Sequence, residues 1–192
     1  MPVTGLILLP ASTNPASTNS LSEKLEAYHG ARQVEKWVVQ YKLYRETLNP
    51  NSPKVLHQLF LSQFPKSMFC LINDIVVEMD RDFEGLLKKL NLWTQRQELV
   101  SDGTTLDMDE FKVRIGSLRS TTTILGQLIE IEYLPCNNNS AQPVISEFAK
   151  DYVFNLTETE APIVFSKSET DVNSEITLLD IASQYIDLLK RK

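Results

Sequence analysis

Cysteine, histidine and glycine are scarce in this sequence, and each shortage argues against a class of chemistry. The 192 residues include two cysteines, two histidines and six glycines. His29 and His57 lie far apart, and neither cysteine has a histidine nearby, so the pattern predicts neither a zinc site nor a cysteine nucleophile. The few glycines form no phosphate-binding loop of the known spacings. We therefore expect no metal, no cofactor and no catalytic residue.

Basic residues are also in short supply. Nineteen lysines and arginines stand against 25 acidic residues, which gives a net charge of −6. The longest basic run is Lys190 to Lys192 at the end of the sequence. Binding to nucleic acid depends on a clustered basic face that releases counterions from the phosphates. We therefore expect no direct, specific binding to DNA.

Long apolar runs and a cysteine framework are missing too. The apolar run from Val3 to Leu9 is followed at once by Pro10, and it is too short for a signal peptide or a membrane span. Cys70 and Cys136 lie in apolar stretches, which favours two buried, reduced thiols over a disulfide. This pattern is typical of a protein of the cytosol or nucleus without a membrane anchor.

The clearest feature that the sequence does contain is a β-hairpin between Asp109 and Pro135. Apolar and charged residues alternate in both halves, which is the two-residue period of a strand. A register with Val113 opposite Ile131 also sets Arg114 opposite Glu130. Opposite charges directly across a ladder contribute roughly 0.2–1 kcal/mol, and a slip by one residue would turn the apolar set to the wrong face. Apolar pattern and charge therefore predict the same register.

Patterns in the rest of the chain predict five further strands and four helices. The strands are Val3 to Leu9, Val34 to Tyr44, Val55 to Ser62, Met68 to Ile72 and Ile75 to Met79. The helices are one capped by Ser20 and stopped by Gly30, one from Phe83 to Trp93, one from Pro143 to Val153, and one from Ile176 to Leu189. Loops are predicted at Ala11 to Asn19, at Asn49 to Pro53 and at Ser101 to Thr105.

This order of elements predicts an α+β fold. Seven strands with short, hairpin-like links indicate a curved antiparallel β-sheet that closes into a barrel-like structure, flanked by helices. We expect residues 1–156 to form a single domain. An acidic linker follows at residues 157–175, where Ile163 to Phe165 could add one short strand. Residues 176–192 form an amphipathic helix packed on the same domain.

One pair of carboxylates on a strand raises the question of catalysis. Glu130 and Glu132 lie on the same face, and such a pair could hold a divalent cation, as in the triphosphate-tunnel barrels. Those enzymes need a second acidic pair and a ring of basic residues, which this sequence does not supply. Lys112 and Arg114 lie opposite the two glutamates, so the favoured interpretation is a solvated, salt-bridged face. A phosphate-handling barrel enzyme remains the alternative.

Four segments taken together resemble a known family. They are Phe64 to Asn73, Asp82 to Leu90, Phe111 to Gly116 and Ile129 to Cys136. In this order and spacing, and with Val3 to Gly5 after the first methionine, they are similar to the twentieth subunit of the Mediator complex. The resemblance covers roughly residues 1 to 155.

The resemblance implies a role in transcription. Members of this family belong to the Mediator head module in the nucleus, where they form a direct heterodimer with the related eighteenth subunit, tethered through the eighth subunit. The assembly is a coactivator scaffold that bridges regulatory factors, RNA polymerase II and general factors, including the TATA-binding protein. We therefore expect a non-enzymatic, nuclear subunit.

A partner surface can also be proposed from the strand pattern. Open sheet edges are usually avoided or covered, and association surfaces favour aromatic residues. The strand with Trp37, Val39, Tyr41 and Leu43 on one side is the best candidate. We expect a partner to dock on this sheet surface rather than on the acidic linker or on the C-terminal helix laid in a groove.

Overall fold

The fold is a large antiparallel sheet with helices on both faces. A computed structural model describes residues 1–11, 17–48, 51, 53–166 and 175–192. The strands are β1 (Val3–Pro10), β2 (Arg32–Glu46), β3 (Val55–Leu61), β4 (Ser67–Ile72), β5 (Ile75–Asp80), β6 (Trp93–Met108), β7 (Phe111–Ser120), β8 (Thr123–Tyr133) and β9 (Ile163–Phe165). The helices are α1 (Ser17–His29), α2 (Phe83–Leu90), α3 (Gln142–Phe148), α4 (Asn155–Thr157) and α5 (Leu178–Leu189). A 3₁₀ turn, Asn139–Ala141, precedes α3, and a π-helical segment, Ala149–Phe154, joins α3 to α4.

The nine strands form one sheet in the order β5-β4-β3-β2-β6-β7-β8-β1-β9. Every pairing is antiparallel, so the predicted α+β class and antiparallel sheet are confirmed. The sheet is not closed, because β5 and β9 are its two edges and do not pair with each other.

The sheet curves around the C-terminal helix. Helix α5 contacts β1 and β9 near one edge of the sheet and β3, β4 and β5 at the other. Strands β4 and β1 lie six positions apart in the sheet. If the sheet were flat, roughly 29 Å would separate them, at about 4.8 Å between neighbouring strands. A helix about 10 Å across reaches both ends only if the sheet bends around it. The concave face therefore holds α5, and the convex face holds α1, α2 and α3.

The predicted hairpin has the expected register. Strand β7 pairs with β8, with Val113 opposite Ile131 and Arg114 opposite Glu130. The register shifts by one residue after Leu118, which lies opposite Gly126. Strand β8 therefore has a bulge next to Gly126, and the register prediction is confirmed.

Strand β6 corrects two predictions. Its 16 residues, Trp93–Met108, replace both the expected end of the second helix at Trp93 and the expected loop from Ser101 to Thr105. The strand pairs with β2 along one side and with β7 along the other. Gly103 belongs to this close pairing: a Cβ atom there would lie 1.8 Å from the backbone oxygen of Ile115.

Two further expectations concern the N-terminal helix and the tail. Helix α1 begins at Ser17, so the predicted cap at Ser20 is wrong, whereas Gly30 follows the helix with a φ of 67°, as a helix stop requires. The short strand β9 lies within the interval expected to be a linker and pairs with β1. Part of the expected loops and linker, namely residues 12–16, 49–50, 52 and 167–174, lies outside the described residues.

Candidate interaction surface

The four residues expected to bind a partner lie mostly inside the protein. Trp37, Val39 and Tyr41 are 0%, 1% and 0% exposed, and Leu43 is half-buried. They line the concave face that α5 occupies, where the Tyr41 hydroxyl is 2.8 Å from His57 Nδ1. The structure therefore corrects the expected position of these side chains. They belong to the core, and a partner surface has to be sought elsewhere.

Glu130 is also buried, not solvated as expected. It is 1% exposed, its partner Arg114 is 5% exposed, and the two form an ion pair. Arg114 also contacts Glu132, with Nη2 2.8 Å from Oε2. The hydroxyl of Tyr185, on α5, donates a hydrogen bond to Glu130. The predicted salt bridge exists, but helix α5 covers it. Both faces of strands β7 and β8 are therefore packed.

The burial of this group perturbs its protonation. Complete burial raises the pKa of the Glu130 carboxyl, and the Arg114 guanidinium acts against that rise. For Arg114, burial lowers the pKa, but the two carboxylates outweigh this effect and the net direction is upward. The charges of Arg114 and Glu130 are thus paired within the protein, between β7 and β8, and Tyr185 of α5 adds a hydrogen bond to Glu130. This cluster holds the helix against the sheet.

The described residues offer no obvious place for a catalytic metal. They contain no group of three or more His, Cys, Asp or Glu side chains placed to hold a metal ion. In the same part of the chain, no helix is both long and apolar enough to cross a membrane. Cys70 and Cys136 are both free, Cys70 is buried and Cys136 half-buried. Burial raises the pKa of the Cys70 thiol to about 12, which leaves it a poor nucleophile.

We predict that the chain does not hydrolyse nucleoside triphosphates. Tyr185 and Arg114 already contact Glu130, so the pair Glu130 and Glu132 is not free to bind a metal ion or a substrate. An assay with ATP and Mg²⁺ or Mn²⁺ should give the same background for the wild type and for the variant with Glu130→Gln and Glu132→Gln. Turnover by the wild type that the double substitution abolishes would show that the alternative, a phosphate-handling enzyme, is correct.

An exposed apolar edge lies away from the Arg114–Glu130 ion pair, at strand β5. Strand β5 is an edge of the sheet, so within the described residues one side of its backbone has no neighbouring strand. Ile75 and Val77 are 64% and 39% exposed. Edge strands are commonly shortened, charged or covered, since an open apolar edge invites pairing with another chain. Strand β5 is short and carries the exposed acids Glu78 and Asp80, but its first half keeps Ile75 and Val77 exposed.

Helix α2 follows β5 in the chain and packs on one face of the sheet. Val77 pairs with Cys70 on β4, and Cys70 packs in a small apolar cluster with Leu87 of α2, so the helix lies on the same face of the sheet as Val77. Leu86 and Leu90, one turn apart on α2, are each 50% exposed. Together Ile75, Val77, Leu86 and Leu90 form what we call the β5–α2 surface.

The sequence carries a signal for this surface in the apolar residues of α2. The apolar residues of α2 span a wider stripe than one contact with a sheet requires: Leu87 is buried, but Leu86 and Leu90 are not. Isolated exposed apolar residues are common, whereas a group on one edge marks an interaction site. The apolar residues of α2 that exceed those needed to contact the sheet are therefore the signal for a partner surface.

The fold and this surface together define a class: an α+β protein with an antiparallel sheet wrapped around its last helix and an open apolar edge. A family model described as "TATA-binding related factor (TRF) of subunit 20 of Mediator complex" matches residues 1–190. The chain therefore belongs to the Mediator subunit 20 family, and the resemblance inferred from the sequence is confirmed.

Individual relatives agree with this assignment. The chain is 26% identical over 196 residues to Mediator of RNA polymerase II transcription subunit 20 of Schizosaccharomyces pombe, and the match covers 100% of each. It is 25% identical to the subunit 20 of Gallus gallus, with 98% of this chain and 92% of the relative covered. Among solved structures, a chain of the S. pombe Mediator head module matches 84% of this chain and 96% of that chain, with 14% identity and a TM-score of 0.40.

Proposed function

We propose that this chain is a non-enzymatic subunit of the Mediator head module in the nucleus. There it would act as part of a coactivator scaffold between regulatory factors, general transcription factors and RNA polymerase II. Family membership supports the assignment to Mediator. A scaffold role is supported by the buried state of Glu130 and by the exposed β5–α2 surface. Contact with RNA polymerase II and the TATA-binding protein is made through the complex.

The direct partner in this proposal is the eighteenth subunit, with the eighth subunit in the same submodule. The observation that carries the proposal is the open edge β5 with Ile75 and Val77 exposed. A strand of the partner can pair with the free backbone of β5, and its apolar side chains can cover the four residues of the β5–α2 surface. Backbone pairing supplies affinity, and the leucines of α2 add an apolar contact next to it.

The test is co-expression with the eighteenth subunit, followed by calorimetric measurement of the dissociation constant. The variant carries Ile75→Lys and Val77→Lys, which place two charges on the edge that the partner must cover. Residues at the centre of an interface contribute about 2 kcal/mol or more each, so the two substitutions together should lower affinity by a factor of roughly 1,000. Ile75 is 64% exposed and Val77 is 39% exposed, so neither belongs to the core and the fold should survive.

A matched control separates this surface from a general effect of added charge. Ile124 and Leu134 are 50% and 38% exposed, which is close to Ile75 and Val77, but they lie on β8 and just after it. The variant with Ile124→Lys and Leu134→Lys should bind the eighteenth subunit like the wild type. Unchanged affinity of the β5 variant, or equal losses in both variants, would show that β5 is not the docking edge.

A further inference from the structure

A groove lies on the convex side of the molecule, away from the β5–α2 surface. It is enclosed by the end of α1, the start of β2, the turn between β6 and β7, and the segment from α3 into the π-helical turn. Its volume is about 740 Å³. The residues that line it are His29, Gly30, Arg32, Asp107, Met108, Asp109, Glu110, Phe111, Phe148 and Tyr152.

Aromatic rings line the inner wall of this groove as a ladder. Phe111 stacks on Phe148 with ring centres 4.1 Å apart, and Phe148 stacks on Tyr152 at 4.6 Å, both at an interplanar angle of 23°. His29 meets Tyr152 edge-on at 4.7 Å, and Tyr133 extends the ladder at its other end, 5.0 Å from Phe111. Phe148 is buried, whereas Phe111 and Tyr152 remain half-exposed. Part of the ladder is therefore open to a ligand.

The rim of the groove is acidic. Asp107, Asp109 and Glu110 line it, and none of the three carboxylates forms an ion pair with a residue in the described part of the chain. Arg32 is the one basic residue in the lining, and it lies opposite Asp107 across the β2–β6 ladder. Even if Arg32 offsets Asp107, Asp109 and Glu110 leave the groove with an excess of negative charge.

The geometry points to a binding site for an arginine-bearing, basic segment of a partner protein. A guanidinium group can lie flat on an aromatic face and donate hydrogen bonds to carboxylates in the same plane. The parts of the Tyr152 and Phe111 rings that their aromatic neighbours leave exposed supply the apolar contact, and Asp109 and Glu110 supply the acceptors at the rim. An acidic peptide or a nucleic acid would be repelled by the same carboxylates, so the charge selects a cationic ligand.

This site is independent of the proposed pairing with the eighteenth subunit. None of the groove's lining residues belongs to the β5–α2 surface. Loss of binding at one site should leave the other intact, and the β5 variant with Ile75→Lys and Val77→Lys should bind the basic probe like the wild type.

The test measures fluorescence anisotropy with the full chain and labelled peptides. The probe is Gly-Arg-Gly-Arg-Gly, compared with the same peptide carrying lysine or glutamate in place of arginine. The variant carries Asp109→Asn and Glu110→Gln, which remove charge with little change in shape. Asn suits position 109 because the backbone there has a φ of 58°, a conformation that Asn tolerates better than most residues.

We expect the wild type to prefer the arginine peptide, the lysine peptide to bind more weakly, and the glutamate peptide not to bind. Each exposed ion pair contributes little, so removal of both carboxylates should weaken arginine binding by about tenfold. Tyr152→Phe should retain binding, whereas Tyr152→Ala should weaken it about threefold through loss of the aromatic face.

The control variant carries Asp74→Asn and Glu158→Gln, two exposed acids outside the groove that also have positive φ values of 63° and 53°. It removes the same number of charges and should bind the arginine peptide like the wild type. Equal losses in both double variants would show that only net charge attracts the peptide. The proposal would also be wrong if the wild type did not bind the arginine peptide. It would be wrong as well if the arginine and lysine peptides bound equally and Tyr152→Ala had no effect.

Discussion

Removal of the C-terminal helix is expected to unfold the chain. Helix α5 buries five large side chains, each at most 8% exposed, in the concave face of the sheet: Ile181, Tyr185, Ile186, Leu188 and Leu189. At roughly 1.5–3 kcal/mol for each large apolar side chain, their burial contributes about 10 kcal/mol. The free energy of unfolding of a whole domain is only about 5–15 kcal/mol. A chain that ends at Phe165 therefore loses most or all of its margin of stability.

Circular dichroism and urea titration of the truncated chain measure this effect directly. We expect loss of the cooperative transition and of the near-ultraviolet signal from packed aromatic rings. A control that removes only Arg191 and Lys192, both exposed, should unfold like the wild type. A truncated chain with the wild-type unfolding midpoint would contradict the placement of α5 in the core. That result would instead favour the alternative that this helix binds in a groove of a partner.

The second large effect concerns the ion pair under α5. Arg114→Ala leaves the carboxylate of Glu130 buried with the hydrogen bonds from Tyr185 and Gln63 but without its counter-charge. Breaking a buried ion pair by removal of one partner lowers the free energy of unfolding by about 3–5 kcal/mol. We expect a loss of this size in urea unfolding of the variant. Replacement of the pair by two apolar residues of similar size should be tolerated better, because no charge is then left unpaired.

Strand β7 supplies a matched control for this variant. Arg119 is paired with Asp102 on the neighbouring strand β6, but both side chains are nearly half exposed, at 48% and 44%. Exposed ion pairs contribute only about 0–1 kcal/mol. Arg119→Ala should therefore shift the urea midpoint little. If Arg114→Ala and Arg119→Ala have equal effects, Arg114 is not a buried charge and the concave face is not packed as described.

The comparison of these two arginines shows what a strand pattern can and cannot predict. Alternation and cross-strand charge were enough to find the register of β7 and β8. They could not reveal that Arg114 and Glu130 are buried, because the group that covers them comes from Tyr185, which is 55 residues beyond Glu130 in sequence. Local periodicity reports that a face is polar. Whether water reaches that face depends on the tertiary packing.

The same reason explains the misplaced partner surface. The aromatic side chains of β2 predicted an apolar face that another element must bury, and the structure does bury this face. The cover is the chain's own helix α5, and Trp37 and Tyr41 are completely buried. The surface that remains open is at β5, whose Ile75 and Val77 gave a weaker signal because only their exposed fractions distinguish them from a core strand.

Strand β6 was missed for a reason of composition. Ser101, Asp102 and Gly103 are typical of a loop, and the strand propensity of the two threonines that follow is too weak to outweigh them. Pairing with a strand on each side overrides that weak local preference. The glycine then has a structural role in the close approach of β6 and β7, not a loop role.

The central claim is that this chain joins Mediator through its open edge, and affinity purification with mass spectrometry tests it most directly. The full chain, tagged and expressed in cells of its own source, should recover the Mediator head subunits in near-equal amounts, including the eighteenth and the eighth. The variant with Ile75→Lys and Val77→Lys should lose them, and the variant with Ile124→Lys and Leu134→Lys should retain them. Recovery of the wild-type chain alone, or of the same subunits with the β5 variant, would contradict the account.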